Sequence, residues 1–152
     1  MPPKILLKIK PPFIALFCIL LALLLNYLFP NLRLINSPYN KIGFILVIFG
    51  FANLIWSFYL FRKNKTPIMP GKKPAFVVAE GPYKLTRNPM YLSVTVILLG
   101  VSFYIGNIAG FAAPLIFFLM VNRIFIPYEE KLMEELFGEK YLSYKEKVRR
   151  WM

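Results

Sequence analysis

The sequence predicts an all-α, polytopic membrane protein, with about four transmembrane helices followed by a C-terminal amphipathic cytoplasmic helix. Three observations lead there. Hydrophobic residues make up 58% of the 152, above the roughly 45–50% usual in soluble domains. They gather into four long apolar segments. The basic residues fall between those segments, dense in some connections and sparse in others.

The first segment runs from about Pro12 to Phe29, after a basic start at Lys4, Lys8 and Lys10. Its apolar run is long for a cleaved signal core, and bulky Asn26-Tyr27-Leu28-Phe29-Pro30 offers no small-residue cleavage site, so it reads as a retained helix. The single cysteine, Cys18, lies inside it and reads as a small hydrophobe. The second segment runs from about Ile42 to Phe61. Gly43, Gly50 and Ser57 share one face of it, which suits close helix packing. Asn53 and Asn122 are polar within or near lipid and are expected to hydrogen-bond to neighbouring helices.

The third and fourth segments, about Met90–Ile105 and Ile108–Pro127, share a 38-residue stretch broken by Gly106-Asn107. That break reads as the tight turn of a helical hairpin. A span needs roughly 20 apolar residues, so the third is short. Pro114 is expected to kink the fourth, because proline removes an N–H and crowds the preceding turn.

The net charge is +12, from 19 Lys and Arg against 7 Glu and no Asp. In so apolar a chain the expected partner is an anionic lipid headgroup rather than nucleic acid. Three Lys precede the first segment, seven basic residues lie between Arg62 and Arg87, and seven more follow from Arg123 onward. The Gly106-Asn107 turn carries none. The positive-inside rule then places both termini and the central loop in the cytoplasm. With no His in the chain, a Ser–His–Asp triad and a His-based metal site are excluded, and no metal site is expected.

After Pro127 the character changes. Leu132, Met133, Leu136 and Phe137 recur at helical spacing, and Gly138 reads as a helix stop. Tyr141, Tyr144, Val148 and Trp151 then fall on one helical face amid Lys and Arg, an amphipathic pattern suited to an interfacial anchor or a lid.

Two polar motifs flank the hairpin. Gly81-Pro82-Tyr83 and Arg87-Asn88-Pro89-Met90-Tyr91 precede it, and Tyr128-Glu129-Glu130 follows it. The carboxylates fit the first turn of a tail helix, where they meet its dipole favourably. They also stand at the membrane boundary, where an uncompensated pair is costly unless a cation binds. Arg87, Asn88, Tyr83 and Tyr91 supply donors and acceptors opposite. A pocket with Glu on one wall and Arg, Asn and Tyr on the other suits a zwitterion with an added positive charge.

These motifs, continued by Phe137-Gly138, Tyr141, Tyr144 and Val148, resemble the C-terminal core of the isoprenylcysteine carboxyl methyltransferase and phospholipid methyltransferase superfamily over about residues 75–150. The resemblance implies an integral membrane enzyme that uses S-adenosylmethionine to methylate a lipid or lipidated acceptor, either a carboxylate or an amine. By position, Val77, Val78, Tyr83, Asn88, Pro89, Met90, Tyr91 and Glu129 would bind the cofactor, with Glu130 and Arg87 as the catalytic pair. Residues 1–152 would form one membrane domain, with 1–74 an N-terminal two-helix part and basic loop and 75–152 the cofactor-binding core. Asn88 stands where many members have histidine. Phe125 stands where the prenylcysteine enzymes have an arginine, which speaks against prenylcysteine as acceptor. Two other readings are a membrane reductase of the sterol reductase type, using NADPH, and a non-catalytic membrane protein that binds anionic lipid.

Overall fold

A computed structural model describes residues 10–64 and 75–152. Lys4 and Lys8, and Lys65, Lys72 and Lys73 of the central loop, lie outside the described residues. Helix α1 spans Pro11–Leu28, α2 Ile42–Lys63 and α3 Pro89–Ile105. A 3-10 turn at Ile108–Phe111 leads into α4, Ala112–Met120. A π-helical turn, Val121–Phe125, joins α4 to α5, Ile126–Phe137, and α6 follows at Glu139–Lys147. No strand forms among the described residues. Three stretches, Pro11–Leu28, Tyr39–Lys63 and Ile108–Phe137, are long and apolar enough to cross a membrane, and α3 is a shorter apolar helix. The architecture is that of an all-α polytopic membrane protein.

Burial in α2 is inverted relative to a water-soluble helix. Its buried residues are Gly43, Gly50, Ser57 and Leu60, while Phe44, Ile48, Phe49 and Ile55 are exposed. Lipid accepts the large side chains, and small residues let two backbones approach. A Cβ on Gly43 would run into Gly100 O and stand 2.6 Å from Tyr104 N; one on Gly50 would stand 2.6 Å from Ile97 Cγ1. The seven-residue spacing therefore marks the α2–α3 seam. Asn53 Nδ2 donates to Ser93 Oγ across it at 2.8 Å, as the sequence suggested. A second core joins α1, α3 and α4, where Cys18, Leu98, Phe117, Val121 and Phe125 are buried together.

The Gly106-Asn107 turn closes the bundle at one end. Gly106 has φ +77°, and a Cβ there would run into Ile35 O, so the turn requires glycine. Asn107 caps the following turn by accepting from the Ala109 N–H, and its own amide donates to Phe29 O at 2.7 Å. The start of α1, the end of α2 and the start of α3 therefore lie at the opposite end.

Two local expectations differ from the structure. Pro114 sits in the first turn of α4, where its missing N–H costs little. The irregularity falls instead just before Pro127, which cannot donate to the helical ladder; the Ile126 N–H reaches back five residues to Val121 O. The tail helix also stops at Lys147. Val148 is extended, so Trp151 does not continue the face of Tyr141 and Tyr144.

Candidate functional site

At the end of the bundle away from the Gly106 turn, the two polar motifs meet. Gly81 opens a 3-10 turn, Gly81–Lys84, with φ +54°, and a Cβ there would press on Leu60 and Trp56 of α2. The turn buries Tyr83, whose ring stacks on Phe61 at 5.3 Å between centroids. Val78 joins Leu60 and Tyr83 in a small core against which Met90 packs, and Val77 is buried nearby. Val78 thus packs behind the Tyr83 turn, and Val77 and Val78 are both buried. Pro89 begins α3, where a missing N–H is harmless, and Tyr91 follows one residue past Met90.

Glu129 and Glu130 are neighbours in sequence and differ in surroundings. Tyr91 donates its hydroxyl to Glu129 Oε1 at 2.9 Å. Among the described residues, no Lys or Arg pairs with Glu129, which is half-buried. Glu130 is buried and holds two guanidiniums. Arg87 Nη2 lies 3.2 Å from Oε1, and Arg150 donates from Nε to Oε1 at 3.1 Å and from Nη2 to Oε2 at 2.5 Å. Such a two-point fork fixes orientation as well as charge.

Arg87 is almost as buried as its partner. Its Nε and Nη1 meet no acceptor in hydrogen-bond geometry among the described residues, although the Tyr141 hydroxyl stands beside the guanidinium. Burial pushes the Tyr141 phenol up to about 12, with the Glu130 charge adding to the rise and Arg87 opposing it. Burial likewise raises the Tyr83 and Tyr144 phenols, so all three stay protonated donors at neutral pH. Tyr144 uses its hydroxyl to bond Tyr83 O at 2.7 Å, which ties α6 to the first motif.

The tail beyond α6 crosses the site. The Arg87 N–H donates to Arg149 O at 3.0 Å. Thr86 Oγ1 and Asn88 Nδ2 both donate to Arg150 O, at 2.8 and 3.1 Å. Asn122, in the π turn, accepts from Trp151 Nε1 at 3.0 Å and from Arg150 Nη1 at 3.5 Å. Trp151 rests on Phe118. Phe125, by contrast, is buried in the helical core, and Arg123 is exposed.

Of the residues singled out from sequence, Tyr91 with Glu129 and Arg87 with Glu130 thus form two polar pairs on adjacent residues of α5, and Asn88 reaches the Arg150 carbonyl of the tail. Pro89 and Met90 set the start of α3. The sequence does not single out Thr86 or Arg150, and it presents Tyr144 and Trp151 only as part of an amphipathic tail. Arg150 reads in the sequence as one of several solvated tail charges, and nothing in local spacing marks a contact with residues 62 or 64 positions away. Polar Asn122 at the end of an apolar run, and a tail whose amphipathic pattern also suits a lid, are the signs the sequence offers.

Over 63 residues the chain is 43% identical to an uncharacterized protein of Haemophilus influenzae, a stretch equal to 41% of this chain and all of that relative. The phospholipid methyltransferase family matches residues 39–140, which takes in α2 and the 3-10 turn before it as well as both motifs. By that match, the chain belongs to the phospholipid methyltransferase family, a family of membrane methyltransferases.

Proposed function

We propose that the protein is an S-adenosylmethionine-dependent methyltransferase acting on a lipid or lipidated acceptor at the cytoplasmic membrane face. The observation that carries this reading is the contrast between the two glutamates. Glu130 is saturated by cations, whereas Glu129 is a half-buried carboxylate whose partner among the described residues is a neutral phenol. A carboxylate so placed suits a cationic ligand. Arg87, paired with the neighbouring Glu130, has two buried nitrogens that meet no acceptor in hydrogen-bond geometry among the described residues, with the Tyr141 hydroxyl next to the guanidinium; such donors suit a carboxylate. The donor set therefore fits a ligand that carries both charges, as S-adenosylmethionine does.

Bound there, S-adenosylmethionine supplies a methyl group on positively charged sulfur, which passes to a lone pair of the acceptor. Glu129 and the Arg87 guanidinium would hold the ligand's opposite charges, and Tyr91 would fix the Glu129 rotamer. Glu130 keeps Arg87 in place. Tyr83, Asn88, Pro89 and Met90 would shape the wall, with Val78 packed against Tyr83 and Val77, its neighbour in the chain, also buried. Burial of the cluster keeps water from competing and strengthens each charge interaction. Burial favours the protonated phenols of Tyr83, Tyr141 and Tyr144, which suits them to act as hydrogen-bond donors. The basic tail and central loop would hold the protein against anionic headgroups and bring a lipid acceptor to the same face.

Calorimetry on the detergent-purified protein tests this. S-adenosylmethionine and S-adenosylhomocysteine should bind and NADPH should not. Folded protein that binds neither adenosyl ligand would overturn the reading, and binding of NADPH alone would favour a reductase.

A further inference from the structure

Arg150 stands at the junction of everything that meets at the site. Its side chain forks onto both oxygens of Glu130, its third nitrogen reaches Asn122 of the π turn, and its carbonyl takes Thr86 and Asn88. Arg87 already supplies Glu130 with one buried counter-ion. A second guanidinium is more than that carboxylate needs for neutrality. Counted as formal charges with both carboxylates ionised, as a bound cation favours, Arg87 and Arg150 balance Glu129 and Glu130, and without Arg150 the four-residue cluster would carry one net negative charge.

We propose that Arg150 is a positioning residue that sets the charge of the donor site, holding Glu130 so that the four-residue cluster is neutral when a cationic ligand arrives. The inference rests on the donor-binding reading above. Its consequence is a limit on ground-state binding. S-adenosylmethionine carries one more positive charge than S-adenosylhomocysteine. A net negative cluster would favour the donor over the product, and stabilisation that is lost as the sulfur gives up its charge raises the barrier rather than lowering it. A neutral cluster holds the two more evenly. The tail segment that brings Arg150 to the site is therefore part of the site's electrostatics and not only a cover over it.

The test is the ratio of two affinities. In Arg150→Gln and in Arg150→Met, which keeps much of the stem's volume, calorimetry should show the preference for S-adenosylmethionine over S-adenosylhomocysteine rising by about fivefold relative to wild type, the size of one screened charge nearby. Arg150→Lys keeps the charge and should keep the wild-type ratio, even where loss of the fork weakens both ligands. A role in folding alone would weaken both ligands by one factor. An unchanged ratio in the neutral variants, or a Lys variant that shifts it as they do, would overturn the proposal. If the wild type binds neither ligand, the donor-binding reading itself has failed and this inference falls with it.

Discussion

Glu129 and Glu130 show how far identical neighbours can diverge. One turns to a phenol and the other to two guanidiniums. Their substitutions should therefore fail differently. Glu129→Gln should fold normally and weaken S-adenosylmethionine binding by about tenfold or more, the scale of a lost charge-assisted contact. Tyr91→Phe, which frees that carboxylate, should weaken it less. Titration calorimetry of both variants checks the order. Glu130→Gln should instead destabilise the protein, by about 3–5 kcal/mol, because it strips buried Arg87 of its counter-ion. Thermal unfolding in detergent reads that loss, and an unshifted midpoint would mean that Arg87 does not depend on Glu130.

At the scale of elements, the seam between α2 and α3 and the turn at Gly106 were legible in the sequence. Both rest on local facts: small residues at a helical repeat, and a glycine–asparagine pair inside a long apolar run. Gly43→Ala tests the seam. Its Cβ would collide with the α3 backbone, so the variant should lose about 1–3 kcal/mol. Gly110→Ala is the control. Its Cβ would meet Ala22 at 4.0 Å and should be tolerated. What the sequence concealed was the tail. Tyr141, Tyr144, Val148 and Trp151 keep helical spacing, but the helix ends at Lys147 because the backbone beyond it finds partners at Thr86, Arg87 and Asn88. Those pairings are tertiary, and no periodicity announces them. The π turn was hidden for a similar reason. Two prolines, Pro114 and Pro127, were in view, and only their positions relative to the helix start decide which one disturbs the ladder.

Across the whole molecule, charge counting and structure give compatible pictures. The counting groups the chain's basic stretches on one side, and the structure gathers the two motifs, the end of α2 and the tail at one end of the bundle. Single cysteines placed at exposed Lys63 and Lys140 should label from the cytoplasmic side, and one at exposed Asn36 from the other; native Cys18 is buried and should stay silent. The central claim is methyl transfer to a lipid or lipidated molecule. It is tested most directly by incubating the protein, reconstituted in total membrane lipid, with S-adenosylmethionine labelled in its methyl group and counting label in the organic phase. The account predicts label there with wild type and a loss of most of it with Glu129→Gln. Wild-type protein that binds the donor yet leaves the organic phase unlabelled would contradict it.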